Sequence, residues 1–265
     1  MLRLKYILVP LTLLMASAAT AGNELYWRLG AIWENSQNAT FLDRSCEPPA
    51  GQVALFGCVE GEDGRPIGAR GDFGNSLGIQ IAWGIHFGEM WRAELEFAHQ
   101  SDFEFEGNAN FLNAGDVQPV FASVNHSRAG VNVFLDLAEA FGHDTETFKP
   151  YIGAGVTAAR NRSTRMFFTF PELENQPALT TVPCDGRTNL GWMLSAGTGF
   201  ELSPRNVIDL GVSWHDHGRL QTSADFIDII RGGESVATVE VGATSARLES
   251  WGVSLSWRHY LRSRR

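Results

Sequence analysis

The segment His215-Asp216-His217 holds the side chains best suited to chemistry in this sequence, and His126-Ser127 is a shorter pair of the same kind. A hydrolytic site needs a nucleophile, a base and an orienting acid that converge, and a bound metal ion needs at least three ligands. His215 and His217 share one face at the end of a strand-like segment, but no third ligand has motif spacing. The residues therefore predict no catalytic, cofactor or metal site.

The cysteines offer a different chemistry. Cys46 and Cys58 are twelve positions apart in a long connecting segment, where a disulfide between them could stiffen the loop. Cys184 is left over, and it could be free, pair with one of the other two, or cross-link to another chain. Disulfides form outside the cytoplasm, so these alternatives depend on where the protein resides.

The first residues predict export. Arg3 and Lys5 precede an apolar stretch that runs from Tyr6 to Ala16, and Ala19-Thr20-Ala21 provides small residues for cleavage. This is the pattern of a secretory signal peptide, and the apolar stretch is too short to span a bilayer as a helix. We therefore expect a signal peptide at 1–21 and one mature domain at 22–265.

The composition favours β structure. The chain has 265 residues, of which 28 are Gly, 17 Phe and 8 Trp, while only 19% are charged. The formal net charge of -9 argues against a nucleic-acid partner, because the phosphate backbone attracts basic surfaces. After the first segment, uninterrupted apolar runs are about four residues long, far short of the ~20 that a membrane helix needs.

Short segments alternate between apolar and small residues, which is the period of a β-strand with two different faces. In one of them, Leu77, Ile79, Ile81 and Trp83 share a parity that is opposite to that of Gly78 and its neighbours. The second face is unusually small, and the segments are long enough for a tilted crossing of a bilayer. Eight segments show the pattern: 24–35, 74–87, 91–105, 122–137, 148–162, 189–202, 206–216 and 247–260.

The connections between these segments alternate between long and short. Such alternation is typical of an up-and-down barrel in the outer membrane, with short periplasmic turns and long extracellular loops. An even number of strands closes the barrel without a free edge, as a hydrocarbon environment requires. The prediction is an all-β protein, an eight-stranded antiparallel transmembrane β-barrel.

Three stretches also resemble a known family: 148–156, the strand from Trp192 to Leu202 with Ala196-Gly197-Thr198-Gly199, and 207–215 with its continuation to Thr222. They are similar to the eight-stranded outer-membrane β-barrels of OmpA/OmpX-like and opacity-type surface proteins. The resemblance implies a location in the outer membrane of a Gram-negative cell, with outer-membrane lipids, lipopolysaccharide and the barrel assembly machinery as partners. One departure is the carboxyl end, where Arg262-Ser263-Arg264-Arg265 follow the last aromatics.

Strand parity assigns a set of charged side chains to the barrel interior, where opposite charges are expected to pair because unpaired buried charge is costly. A structural ion-pair network and a narrow water path both remain open. The set comprises Arg28, Glu34, Arg92, Glu94, Glu96, Arg128, Asp136, Glu201, Asp209 and Arg258.

The loops are the expected seat of function, since loops on a rigid scaffold carry recognition. Met166, Phe167, Phe168 and Phe170 form an apolar cluster that either continues a strand into the lipid boundary or makes a contact patch. Gly232-Gly233 predicts a hairpin in the fourth loop. Arginines around the third loop could meet lipopolysaccharide phosphates or remain solvated; they are Arg160, Arg162, Arg165 and Arg187.

These features predict a non-enzymatic protein with a structural or surface-interaction role, similar to an adhesin or antigen, whose loops bind a surface ligand. The alternatives are a narrow porin-like channel and a lipid A-modifying enzyme, since small barrels of this kind include both.

Overall fold

The computed structural model describes residues 24–42, 59–88, 90–112, 114–142, 148–173, 178–182 and 185–262. The predicted signal peptide lies outside these residues, as do Cys46, Cys58 and Cys184, so the disulfide remains a prediction. None of the helices formed by the described residues has the length and apolarity needed to cross a membrane.

Thirteen strands and one short helix make up the described fold. In chain order they are β1 (Glu24–Ser36), β2 (Asn38–Phe41), β3 (Ala69–Asp72), β4 (Asn75–Phe87), β5 (Trp91–Ala109), β6 (Pro119–Asp136), α1 (Leu137–Ala140), β7 (Phe148–Phe170), β8 (Ala178–Thr181), β9 (Gly186–Ser203), β10 (Asn206–Gln221), β11 (Asp225–Arg231), β12 (Glu234–Val241) and β13 (Ser245–Tyr260).

The eight long strands form a closed antiparallel ring. The ring runs β1, β4, β5, β6, β7, β9, β10 and β13, and β13 pairs back onto β1 from Tyr26↔Tyr260 to Ser36↔Ser250. Every strand of the ring therefore has two hydrogen-bonded neighbours, and the predicted eight-stranded barrel is confirmed. We call the end with the short connections the turn end and the opposite end the loop end.

The outer face of the ring is apolar, as a lipid environment requires. On β4 the burial alternates strictly: Leu77 is 62% exposed and Ile79 is 66% exposed, whereas Gln80 between Ile79 and Ile81 is 4% exposed. Tryptophans lie towards both ends of this apolar belt, for example Trp27 and Trp33 on β1 and Trp251 and Trp257 on β13. Aromatic side chains at these positions fit the two membrane interfaces.

Most of the ring strands continue beyond the predicted segments at the loop end. β7 reaches Phe170 instead of ending at 162, and its inward-facing Met166 and Phe168 are buried. The apolar cluster in the third loop thus continues the strand, as one of the two alternatives expected, but its Met166 and Phe168 pack inside the barrel and not at the lipid boundary. β8 pairs with this extension and with β11.

The predicted hairpin in the fourth loop is confirmed. β11 and β12 pair antiparallel, and the turn between them contains Gly232 and Gly233 with φ values of 61° and 86°. Positive φ at both central residues is the geometry that favours glycine in tight hairpin turns.

The interior contains an apolar layer at the loop end, above a polar region. The members of the apolar layer are buried and pack against one another: Ala39, Phe41, Ala69, Phe73, Phe103, Phe105, Ala109, Val120, Ala122, Val124, Met166, Phe168, Val182, Leu220, Ala246 and Leu248.

Register shifts mark the junction between the two interior regions. One shift lies on β5 between Gln100 and Phe103. A second lies on β7, opposite Ser123 and Val124 of β6. A third lies on β10 between Asp216 and Arg219. A bulge adds an unpaired residue and so changes which parity faces inward. On β10, for example, His215 is buried below the register shift and His217 within it, whereas Leu220 is buried above it.

Candidate functional site

The polar region begins with Arg28, which projects inward from β1 towards two carboxylates of β5. Its Nη2 atom lies 2.6 Å from Glu94 Oε2 and 2.8 Å from Glu96 Oε2. Glu94 and Glu96 face the same side because residues two apart on a strand share a face. Arg28 thereby bridges two like charges that would otherwise repel each other.

A second group lies nearer the turn end. Arg92 Nε is 3.0 Å from Asp136 Oδ1, and the Arg92 guanidinium lies 4.8 Å from the ring centroids of both Phe134 and Tyr151. His86 Nε2 is 3.1 Å from Asp136 Oδ2. These contacts surround a buried guanidinium with a carboxylate and two aromatic faces, an arrangement that compensates its lost hydration.

Arg258 on β13 pairs with Asp209 on the neighbouring β10. Its Nη2 atom lies 2.8 Å from Asp209 Oδ1, and its Nη1 atom donates to the Tyr260 hydroxyl at 3.0 Å. We call the buried charged side chains of the barrel interior the ion-pair layer. Its members are Arg28, Glu34, Arg92, Glu94, Glu96, Arg128, Asp136, Asp209 and Arg258. Of the side chains assigned to the interior from sequence parity, Glu201 differs, because it is half-buried beside the β9–β10 turn, opposite Val207.

The ion-pair layer leaves little space. It borders a cavity of about 40 Å³, whose lining includes Arg28, Glu94, Ser195 and His215. Such a volume holds a few water molecules at most. The apolar layer lies above it, so the interior of the described barrel is filled at two successive levels.

Glu34 lies at the junction between the two layers and has several partners. Arg128 Nη1 is 2.8 Å from Glu34 Oε1. On the other carboxylate oxygen, Ser250 Oγ donates at 2.6 Å and His217 Nε2 lies at 3.0 Å. His215 Nε2 is 3.8 Å from Glu34 Oε1.

The histidine pair of β10 thus has an acidic neighbour that spacing rules do not reveal. Glu34 is 183 positions from His217 in the sequence. The parity of β1 places Glu34 inside the barrel, but its height relative to β10 depends on the register of β13 with both strands. Only the closed ring brings the three side chains together.

This arrangement is not that of a serine-hydrolase triad. In a triad, the serine and the acid contact different nitrogens of the histidine ring. Here Ser250 Oγ and Glu34 Oε2 both contact Nε2 of His217, at 2.9 and 3.0 Å, and Nδ1 has no hydrogen-bond partner among the described residues. His217 is also fully buried beneath the apolar layer.

The other sequence candidate, His126-Ser127, is split between the two faces of β6. His126 faces inward, where its Nδ1 lies 2.6 Å from Asn161 Oδ1. Ser127 faces outward and its hydroxyl is 2.8 Å from Nδ1 of His99 on β5. Adjacent residues on a strand point to opposite faces, so the two side chains cannot act on one substrate.

The outer face carries a row of polar side chains, one of them an arginine, just above the apolar belt. His99, Ser127, Arg160 and Thr188 are aligned across β5, β6, β7 and β9. Below this row is an open groove of about 490 Å³ that is lined largely by apolar side chains, among them Ile79, Ile81 and Phe97, with Arg160 at its margin. Arg162 is exposed two positions further along β7.

Of the other arginines around the third loop, Arg187 donates to Gln221 Oε1 at 2.7 Å. Arg165 pairs in register with Ser123.

Comparison with known proteins agrees with this architecture. The sequence model of the outer membrane protein beta-barrel domain matches residues 6–258. The chain belongs to this family. As an outer membrane β-barrel protein it is located in the outer membrane of the cell. No curated protein matches its sequence.

Several solved outer-membrane proteins are similar in structure at low sequence identity. OprG from Pseudomonas aeruginosa is 13% identical, with 92% of this chain and 97% of that chain covered and a TM-score of 0.44. The protease OmpT from Escherichia coli is 5% identical, with 90% and 97% covered and a TM-score of 0.49. Ail, the attachment invasion locus protein of Yersinia pestis, solved in complex with the heparin analogue sucrose octasulfate, is 12% identical, with 89% and 98% covered and a TM-score of 0.35.

Proposed function

We propose that this protein is a closed outer-membrane barrel that does not conduct and acts through its extracellular surface. The observation that carries the proposal is the apolar layer, which fills the loop end of the barrel with residues such as Phe41, Phe73 and Phe105. Aromatic rings at this level pack edge to face, with centroids 5.1 Å apart for Phe41 and Phe105. A dry, packed layer is a poor path for hydrated ions.

The ion-pair layer supports the same conclusion. A small barrel is just wide enough for its side chains to fill the lumen. Salt bridges of 2.6 to 3.0 Å between buried partners, such as Arg28–Glu94 and Arg92–Asp136, hold those side chains across the interior. A narrow porin-like channel would require both layers to open, so it is the less supported alternative.

An enzymatic role is also less supported. The catalytic candidates either lie beneath the apolar layer, as His217 does, or point to opposite faces, as His126 and Ser127 do. A lipid A-modifying enzyme needs its nucleophile and base to meet a lipid at the barrel rim.

Among the described residues, one surface available for interaction is the β8–β11–β12 extension at the loop end. Phe226 is 66% exposed, Val236 is 54% exposed and Leu179 on the adjacent β8 is 39% exposed. Exposed apolar side chains on a projecting hairpin are typical of contact surfaces. We propose that this extension binds a surface ligand with an apolar component.

Lipopolysaccharide is the proposed lipid partner of the outer face. The groove beneath Arg160 suits acyl chains, and the exposed guanidinium groups of Arg160 and Arg162 suit phosphates, to which arginine forms two-point hydrogen bonds. We also propose, from the family, that the exported chain is inserted by the barrel assembly machinery.

Two measurements test the proposed function on the full folded chain. In planar lipid bilayers we expect no stepwise conductance, and reproducible single-channel steps would contradict a closed lumen. Cells that express the protein should adhere to polystyrene, and Phe226→Ser with Val236→Ser should reduce this adhesion. Arg205→Ser at the turn end is the matched control and should leave adhesion unchanged.

A further inference from the structure

Glu34, His215 and His217 bring three metal-binding side chains together at the junction of the two interior layers. One potential ligand atom from each residue lies within 4.8 Å of the other two, and all three side chains are buried. We propose that these residues bind one divalent transition-metal ion, for which Zn²⁺ is the best fit. This proposal does not depend on the proposed surface function.

The three side chains already lie close together. His217 Nε2 is 3.0 Å from Glu34 Oε2, and His215 Nε2 is 3.8 Å from the other carboxylate oxygen, Oε1. Bonds of about 2.1 Å in a tetrahedral site separate neighbouring ligand atoms by about 3.4 Å. Since one potential ligand atom from each residue lies within 4.8 Å of the other two, small side-chain rotations bring all three to that separation.

The strand β10 and its bulge set the orientation of the two imidazole rings. His215 and His217 occupy consecutive inward positions of β10, and their rings are nearly parallel, with centroids 5.3 Å apart and an interplanar angle of 7°. Nε2 of each ring contacts a hydroxyl on the side where Glu34 lies: Ser213 for His215 and Ser250 for His217. Gly218, with φ 75°, lies in the register shift that follows directly. Bulges often re-aim side chains at functional sites.

The donor set selects the class of ion. Two neutral imidazoles and one carboxylate form a known zinc set with a fourth position available. Calcium and magnesium prefer oxygen-only coordination, so they are poor matches. Beside the site, Nε2 of the buried His126 has no hydrogen-bond partner among the described residues, and its ring centroid is 4.2 Å from that of His217. His126 lies outside the three-residue ligand group, so its Nε2 is a candidate hydrogen-bond partner for a water bound to the ion.

The surrounding charges accommodate a cation. The ion-pair layer contains four arginines (Arg28, Arg92, Arg128 and Arg258) and five carboxylates (Glu34, Glu94, Glu96, Asp136 and Asp209), which leaves one excess negative charge. Arg128 is bound to Oε1 of Glu34 at 2.8 Å, so Oε2 remains directed at His217. A metal ion bound by the three side chains would displace the hydroxyls of Ser213 and Ser250, both of which can rotate.

The ion would connect strands that do not pair with each other. β1 pairs with β4 and β13, whereas β10 pairs with β9 and β13. An ion held by Glu34 and the β10 histidines would therefore link β1 to β10 on the inner side of β13. Because a metal that binds only the folded state stabilises it, we expect Zn²⁺ to raise the unfolding temperature of the barrel.

The test uses the full chain refolded into detergent with or without Zn²⁺, because the site is buried beneath the apolar layer. After removal of free metal, elemental analysis should find about one Zn²⁺ per chain. Glu34→Gln and His217→Asn should each lower the bound metal at least tenfold. The matched control is His99→Asn, since His99 lies on the outer face and is not part of the cluster.

Cobalt gives an independent measurement on the wild-type protein. This measurement remains decisive if a variant fails to fold. Refolding with Co²⁺ should produce the strong visible absorption of tetrahedral Co²⁺ with nitrogen and oxygen ligands. A folded, heat-modifiable barrel that shows neither Zn²⁺ retention nor this absorption would overturn the proposal. So would equal Zn²⁺ retention in folded Glu34→Gln and in the unchanged chain.

Discussion

Arg128 on β6 donates a hydrogen bond of 2.8 Å to Glu34 on β1 across the interior of the barrel. Nε of the same guanidinium lies 3.4 Å from Glu96 Oε1. One buried cation thus joins strands that are three positions apart in the ring.

Replacing Arg128 by Met should therefore destabilise the barrel, because Glu34 and Glu96 would lose a buried counter-charge. Breaking one side of a buried pair costs about 3–5 kcal/mol. Urea unfolding in lipid vesicles, followed by tryptophan fluorescence, measures the change. Arg160→Met on the outer face is the control, and equal midpoints for the two variants would refute the assignment.

The apolar layer predicts a different response at the loop end. Phe105 is fully buried and its ring centroid lies 5.0 Å from that of Phe73, so Phe105→Ala should cost about 3–5 kcal/mol. Hydrogen exchange should then increase in β2, β3 and the end of β5. Phe226→Ala, a truncation of an exposed ring, should leave exchange in these strands unchanged.

Gly84 makes room for an aromatic side chain of the neighbouring strand. A Cβ at this position would collide with Cζ of Tyr26, whose hydroxyl donates to Glu94 at 3.0 Å. Gly84→Ala should displace the ring and lower stability by about 1–3 kcal/mol. At Gly186 the added Cβ would meet only the flexible Arg162 chain at 3.3 Å, so an unfolding midpoint for Gly186→Ala as low as that of Gly84→Ala would contradict the explanation.

The arginines above the apolar belt predict how much lipopolysaccharide accompanies the purified protein. Replacing Arg160 and Arg162 by Gln removes two guanidinium groups that can bind phosphate from the outer face. We therefore expect several-fold less bound lipopolysaccharide, measured by its phosphate content. Arg205→Gln changes charge at the turn end and should have no effect. If the double variant retains the full amount, these arginines are merely solvated.

The carboxyl group of Asp63 anchors the first loop to the end of β5. The Asn110 side chain donates to Asp63 Oδ1 at 2.6 Å and the Arg65 backbone N–H donates at 3.0 Å, and these bonds hold the pKa of Asp63 below its usual value of about 3.9. The anchor is therefore fully present above that value, and it is lost as the pH falls through the lower folded-state pKa. Carboxyl NMR titration should show this pKa rising in Asn110→Ala and unchanged in Asn108→Ala.

The barrel itself could be predicted because alternation is a local property. In β4 the apolar parity from Leu77 to Phe87 fixes the lipid face without knowledge of any partner strand. The same parity placed Arg28, Glu94 and Arg258 inside the ring, where the structure pairs them with opposite charges. Periodicity alone was sufficient for these features.

The bulges explain what the sequence could not supply. Phe103 and Phe105 have the opposite parity to Glu94 and Glu96, yet all four face inward, because the register shift after Gln100 changes the inward parity. Read with one parity, the aromatics of the apolar layer fall on the outer face. The Glu34 cluster was missed for a related reason, since it depends on strand register over 183 positions of sequence.

The bulges change the inward-facing parity of the strands at one level of the barrel. They divide the interior into an upper and a lower level, enclosed by one continuous hydrogen-bonded sheet. Each level has its own side chains, charged below and aromatic above, and the two meet where Phe103 lies beside His126 and His217. The residues above the bulges could therefore be exchanged for those of another barrel that keeps this contact, while the ion-pair layer stays intact. Sequence change at the loop end need not disturb the part of the barrel that lies in the membrane.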